Sequence, residues 1–329
     1  AGNGSSGRSV TGVGFQPDWV WIKNRSDGDP NKIFDSVRGV SKSIKSNSTD
    51  AEVSTEENGY VSAFNSDGFT LTQGSSSQQD VNKSSENYVA WNWLAGGSAS
   101  SNSSGDITSS VSASTTAGIS IVSYTGAGAT ATIGHGLGAA PKMVIVKQTN
   151  TTRNWVVMHQ GIGFTKYLYL DSTQASSTGN FFNDTDPSST VFNVVNDGGV
   201  NASSGSYIAY CFAPIKGYSK FGSYTGNGNA NGPFIYTGFK PAWVMIKVFS
   251  GNTGGWDIYD NKRLTFNPNE EVLQANANSA EASNDAIDLL SNGFKIRNTT
   301  GNQNGSGNSH IYMAFAESPF VNSNGIPTN

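Results

Sequence analysis

The stretch Pro17-Asp18-Trp19-Val20-Trp21-Ile22-Lys23 returns as Pro141-Lys142-Met143-Val144-Ile145-Val146-Lys147 and again as Pro241-Ala242-Trp243-Val244-Met245-Ile246-Lys247. Its shared pattern is Pro-x-(Trp/Met)-Val-x-(Ile/Val)-Lys. Both alternate positions are apolar, as in a strand covered on both faces. Downstream, Tyr88-Val89-Ala90-Trp91, Tyr207-Ile208-Ala209-Tyr210 and Tyr312-Met313-Ala314-Phe315 begin 71, 66 and 71 residues after Pro17, Pro141 and Pro241. Upstream, Gly4, Gly128 and Gly228 each precede that proline by 13 residues in Gly-x-Gly settings. Three landmarks in one order make an internal repeat, and a repeat decides the architecture before any element is assigned.

The repeat divides the chain into module 1 at 1–96, module 2 at 118–216 and module 3 at 217–320, with a tail at 321–329. Residues 97–117 are rich in Ser, Thr and Gly, a composition that reads as a flexible or extended linker, so modules 1 and 2 are expected to move independently. Ala213 to Tyr218 joins modules 2 and 3 closely enough for them to pack as a pair. Each of these opens with a short run ending in Ser123-Tyr124-Thr125 or Ser223-Tyr224-Thr225, directly before the glycine turn. Ala1 stands directly before Gly2-Asn3-Gly4, so module 1 lacks this leading strand, and a longer parent chain is expected to supply it.

Within each module the apolar runs are short, rich in Val, Ile and aromatics, and bounded by Gly, Asn, Asp, Ser and Pro, which marks strands. Ser66-Asp67-Gly68-Phe69 and Ser291-Asn292-Gly293-Phe294 read as hairpin reversals. Helical periodicity is nearly absent, and Ala286 to Leu290 is the best candidate for one helical turn. The expected class is all-β: three tandem antiparallel β-sandwich modules of jelly-roll type.

Charged residues make up 13% of the 329, about half the roughly 25% of an ordinary soluble domain. Hydrophobic residues at 36% still suffice for packed cores. A net charge of -4 provides no basic field for phosphates, so nucleic acid is not an expected partner. Three histidines and one cysteine exclude dense zinc or disulfide frameworks, and the absence of an apolar run near about 18 residues argues against membrane insertion.

Lys23, Lys147 and Lys247 close the repeated strand, and Asp35, His159 and Asp260 occupy a matching later place. A Lys-Asp pair across neighbouring strands is the structural reading, with histidine replacing the acid in module 2, and a repeated ligand site is the functional alternative. Asp27-Gly28-Asp29-Pro30-Asn31 resembles the start of a calcium loop, yet the twelfth position is Arg38 where a bidentate glutamate belongs. His135, His159 and His310 have no visible nucleophile or metal partner, and no Gly-x-Ser-x-Gly, His-Glu-x-x-His or phosphate-loop motif occurs. No catalytic residue, cofactor or metal is expected. Trp19, Trp91, Trp243, Tyr88, Tyr207 and Tyr312 recur at strand positions and read as core, which leaves Trp93, Trp155 and Trp256 as candidates for stacking on a glycan.

Gly14-Phe15-Gln16-Pro17-Asp18-Trp19-Val20-Trp21-Ile22-Lys23-Asn24-Arg25, Phe34-Asp35-Ser36-Val37-Arg38-Gly39, Tyr88-Val89-Ala90-Trp91-Asn92-Trp93, Gly134-His135-Gly136-Leu137, Tyr207-Ile208-Ala209-Tyr210-Cys211-Phe212-Ala213-Pro214 and Ala314-Phe315-Ala316-Glu317-Ser318-Pro319-Phe320 together resemble tandem concanavalin A-like modules in virion proteins of marine tailed bacteriophages, tail-fibre and appendage proteins among them. The resemblance covers essentially the whole chain and carries over no catalytic or ligand residue. It implies a non-enzymatic virion protein, made in the host cytoplasm and displayed on the particle for host-surface attachment. As partners it implies two further copies in a homotrimer, other virion proteins and host polysaccharide. A capsid decoration or head-fibre protein, and a lectin or depolymerase module, are the alternatives.

Overall fold

A computed structural model describes residues 1–317. The expected tail at 321–329 lies outside the described residues, as do the last residues of module 3. The described chain is all-β in antiparallel sheets, with one 3-10 turn at Gln160–Ile162.

The first segment forms two sheets. One holds β2 (Trp19–Asn24), β3 (Lys32–Asp35), β4 (Lys42–Lys45), β5 (Val53–Ser54) and β8 (Tyr88–Trp93) in the order β5-β4-β3-β2-β8. The other holds β1 (Arg8–Thr11), β6 (Tyr60–Asn65) and β7 (Gly68–Thr72) in the order β1-β7-β6. β2 to β5 run as a meander within one sheet, β6 and β7 form a hairpin of the other, and β8 returns beside β2. This is a two-layer arrangement without the paired Greek keys of a jelly roll. The expected reversal is present, with Asn65 opposite Gly68 across a two-residue turn.

The second segment builds one large sheet in the order β16-β15-β14-β13-β18-β11-β10-β9. Its strands are β9 (Ser100–Asn102), β10 (Ser109–Ser114), β11 (Ile119–Thr125), β13 (Met143–Gln148), β14 (Val156–His159), β15 (Lys166–Tyr169), β16 (Ser177–Thr178) and β18 (Ser206–Phe212). A ribbon of β12 (Ala131–Gly134) and β17 (Val191–Val194) covers it. The expected linker at 97–117 is therefore corrected: it supplies β9 and β10, which extend this sheet beyond β11. β9 is the exposed edge, and in β10 Ser109 and Ser112 are buried within the protein, so low apolar content did not mean a free chain.

The third segment is an eight-stranded, nearly closed, barrel-like sheet in the order β19-β26-β21-β22-β23-β24-β25-β20. Its strands are β19 (Ser219–Thr225), β20 (Phe234–Tyr236), β21 (Trp243–Ser250), β22 (Trp256–Asp260), β23 (Asn269–Gln274), β24 (Ala282–Leu290), β25 (Gly293–Ile296) and β26 (Ser309–Phe315). The suggested helical turn at Ala286 to Leu290 is the end of β24 instead. Ile287 and Leu289 are buried at a spacing of two, and Leu290 pairs with Gly293 through the second expected hairpin.

β2, β13 and the first six residues of β21 are buried throughout, as expected for apolar residues on both faces. One face of β2 packs Val20 and Ile22 against Phe69 and Leu71 of the small sheet. The other carries Trp19 and Trp21 into a core shared by all three segments. There the Trp19 ring lies 4.8 Å from Tyr210, Trp93 lies 5.4 Å from Trp243, and Phe212 lies 6.2 Å from Phe315. With several large aromatics interlocked across each junction, the first and second segments do not move independently, contrary to the composition of 97–117.

Candidate functional site

The glycine landmarks are turns held by a residue that the motif search missed. Gly4, Gly128 and Gly228 take φ of +66°, +67° and +66°, a left-handed conformation that side chains with a Cβ rarely adopt. Their N–H groups donate to the carbonyls of Asn82, Asn201 and Asn304. The side-chain oxygen of the same asparagine accepts from the N–H of Asn3, Ala127 or Asn227, inside the turn. All three asparagines are buried. Each stands six residues before a residue of the returning strand: Tyr88, Tyr207 and His310.

That spacing exposes a register correction. Trp19 pairs with Trp93, Met143 with Phe212 and Trp243 with Phe315, so Tyr88 and Tyr207 correspond to His310, and Ala90 and Ala209 to Tyr312. The sequence match had aligned Tyr88 and Tyr207 with Tyr312, two residues away. A shift of two keeps every side chain on its own face, so the apolar pattern could not reveal it.

The three repeated lysines join the segments in a ring. Lys23 Nζ donates to the Asn278 carbonyl of the third segment at 3.1 Å, Lys147 Nζ to Thr49 O of the first at 2.9 Å, and Lys247 Nζ to Thr173 O of the second at 2.9 Å. Each also bonds a carbonyl of its own loop: Asn24 O, Arg153 O and Gly254 O. All three are fully buried, and burial lowers their pKa values to about 8 against the pull of nearby carboxylates.

The expected Lys23-Asp35 and Lys247-Asp260 ion pairs are therefore corrected. Asp35 pairs with Arg38 and Asp260 with Arg263, each at 2.6 Å, and each carboxylate also accepts from the N–H of that arginine. Lysine and aspartate lie near opposite ends of the strand pair, so the lysine reaches carbonyls across a junction and not the acid. His159 caps the equivalent turn, its Nδ1 accepting from Gly161 N. These three positions form a second ring. The Tyr210 hydroxyl donates to Asp35 at 2.7 Å, Trp91 Nε1 donates to Asp260 at 2.9 Å, and His159 Nε2 lies 3.2 Å from Tyr312 O. The corrected register explains the histidine. Met313 stands where Trp91 and Tyr210 carry polar hydrogens, so the matching acid is replaced by a ring that meets a backbone carbonyl. Burial takes the His159 pKa down to about 4 and keeps it neutral there.

Trp93, Trp155 and Trp256 are 4%, 0% and 1% exposed, so none of the three can stack on a sugar at the surface. Trp155 Nε1 donates to Lys45 O and Trp256 Nε1 to Tyr169 O, which makes them further ties between segments. The acidic turn at 27–31 is bound into the protein as well: Asp27 O accepts from Lys23, and Asp29 accepts from Asn24. His135 caps its own loop through Leu137 N, while His310 stacks on Tyr224 at 4.8 Å. No group of three or more metal-binding side chains occurs among the described residues.

One large groove, of about 970 Å³, runs beside β8. Among the described residues β8 is bonded on one side only, to β2, whereas β18 lies between β13 and β11, and β26 between β21 and β19. Arg25 N donates to Asn87 O, so alternation aims the N–H and C=O groups of Tyr88, Ala90 and Asn92 away from β2 and into the groove. The Ala90 carbonyl is met by the Asn92 side-chain amide, while Asn92 Oδ1 and Trp243 Nε1, both on the groove, are buried without partners among the described residues. No curated protein and no solved structure matches the chain. A family model described as a domain of unknown function, DUF7483, matches residues 1–319, and the chain belongs to that family.

Proposed function

We propose that the chain is a non-enzymatic structural protein of a bacteriophage particle, a tail fibre or appendage displayed for host-surface attachment, built of three β-sandwich modules turned about one core. The ring of lysine-to-carbonyl bonds carries this reading. In each copy the group best suited to chemistry, a lysine with its pKa near neutrality, has its ammonium hydrogens directed at carbonyls on both sides of a junction. The other repeated polar groups, Asp35, His159 and Asp260, likewise tie segment to segment. A surface of Ser, Thr, Asn and Gly with few charges suits a protein held outside the cell against neutral polysaccharide, and the resemblance to virion modules points the same way.

Antibody-labelled electron microscopy of the encoding bacteriophage tests the reading. Label at the end of a tail appendage, with purified protein blocking adsorption to host cells, is the expected result. Label distributed over the capsid turns the assignment to a decoration protein, and particles without label overturn it. The homotrimer is tested separately by light scattering, where a mass three times 34.6 kDa is expected.

A further inference from the structure

We propose that the open edge of β8 is a seat for one added antiparallel strand with the pattern of Ile119-Ser120-Ile121-Val122-Ser123-Tyr124. The two strands equivalent to β8 show what such a seat holds. β11 pairs with β18 from Ile119 opposite Phe212 to Thr125 opposite Ser206, and β19 pairs with β26 from Ser219 opposite Phe315 to Thr225 opposite Ser309. Each covering strand presents a tyrosine to the returning strand: Tyr124 stacks on Tyr207 at 5.1 Å, and Tyr224 on His310 at 4.8 Å. The tyrosine hydroxyls donate to Val200 O and Gln303 O, each one residue before the turn-clamping asparagine. In the first segment those places belong to Tyr88 and Val81, and both line the groove.

The remaining positions match in the same register. The first and third residues of an added strand lie beside Trp93 and Trp91, toward Trp243, where Ile119 and Ile121 lie beside Phe212 and Tyr210. The second lies beside Asn92, whose Oδ1 has no partner, where Ser120 lies beside Cys211. The fourth lies beside Ala90, as Val122 lies beside Ala209. Gly2 N already donates to Glu86 O, as Gly126 N donates to Gly205 O and Gly226 N to Asn308 O, so Ala1 holds the place of Thr125 and Thr225 and the added strand supplies the six positions before it. Free N–H and C=O groups beside an apolar trough are the recognition elements of strand addition: the main chain supplies affinity and alternate pockets supply selectivity.

The probe is the labelled peptide Ile-Ser-Ile-Val-Ser-Tyr, titrated into the full chain by fluorescence anisotropy. Saturable binding is expected, weakened at least tenfold when the peptide tyrosine becomes alanine and lost in the Ala90→Pro protein. The Ala90 N–H faces the groove, so proline there blocks the added strand without removing a bond to β2. A second protein carries the same six residues joined ahead of Ala1, so that Ala1 takes the place of Thr125 and the tyrosine falls opposite Tyr88. It is expected to melt at a higher temperature than the original and to bind no added peptide. Absence of binding together with an unchanged melting temperature in the fused protein overturns the proposal. So does binding that survives both Ala90→Pro and scrambling of the peptide. A sedimenting dimer that Ala90→Pro disperses also overturns it, by giving the edge to a second copy.

Discussion

β8 and β18 begin with nearly the same residues, Tyr88-Val89-Ala90-Trp91 and Tyr207-Ile208-Ala209-Tyr210, and return beside the same kind of strand. From Tyr207 to Phe212, β18 is wholly buried, while Tyr88, Val89, Ala90 and Asn92 keep partial exposure. Local sequence therefore sets which face of a strand is apolar, and the neighbouring strand sets whether its edge is wet. On the inner face the two strands do not differ: Trp91, Trp93, Tyr210 and Phe212 all enter the shared core.

The largest expected effect probes that shared face. Trp93→Ala and Phe212→Ala should each cost about 3–5 kcal/mol in chemical denaturation, because both empty the common core whatever lies at the edge. A Trp93→Ala cost under about 1 kcal/mol would show that the first segment contributes little to that core. Next come the turn clamps. Asn201→Ala should cost about 1–2 kcal/mol, since it leaves the N–H of Ala127 and the Ala129 carbonyl unmet in a part-buried turn that follows a covering strand. Asn82→Ala should cost less, about 1 kcal/mol, because no covering strand precedes the turn it holds and Gly2 keeps partial exposure where Gly126 is buried. Equal losses would remove the difference between the two edges.

The lysine ring sets a pH dependence that does not distinguish the edges and so checks the common frame. A lysine with a pKa of about 8 folded and 10.5 unfolded binds fewer protons in the folded state between those values, so stability rises with pH through that window. Cys211, pushed from 9.0 up to about 12 by burial, opposes this above pH 9, so the rise is cleanest between pH 8 and 9. Each lysine contributes up to about 1.4 kcal/mol per pH unit. Unfolding titrations of Lys147→Met should show about two thirds of the original slope, and an unchanged slope would mean the ammonium is not desolvated. Effects close in size to those of the turn clamps are expected at the glycines. Gly128→Ala should cost about 1–2 kcal/mol, since φ is +67° and the new Cβ would stand 2.8 Å from Ser203 Cβ. Gly14→Ala, with φ +84° and open space around it, should cost about 1 kcal/mol, read from the shift in melting temperature.

The repeat was legible because its landmarks answer physical needs: a left-handed glycine at the turn, apolar residues on both strand faces and a lysine at a junction. The two-residue shift of β26 was hidden by the period of a strand. The Asn82, Asn201 and Asn304 clamp was available in the sequence, six residues before Tyr88, Tyr207 and His310, but its signal is one polar residue among many in Asn-rich loops. The lysine partners were not legible, since Asn278, Thr49 and Thr173 offer only backbone carbonyls, which every residue has. Ser109-Ser110-Val111-Ser112-Ala113-Ser114 looked like a linker because its serines, two of them buried, carry no apolar signal. Trp155 and Trp256 looked irregular because their indole N–H groups meet carbonyls of other segments, and Trp93 packs on Trp243 of the third segment as well as on Trp19 of its own.

Amide hydrogen exchange on the folded chain tests the open edge most directly. Tyr207, Ala209 and Cys211 of β18, and His310, Tyr312 and Ala314 of β26, direct their amides at a covering strand and should exchange only on global unfolding. Tyr88, Ala90 and Asn92 should exchange orders of magnitude faster while Val89, Trp91 and Trp93, bonded to β2, stay protected. Equal protection at all nine edge amides would contradict an open edge on β8.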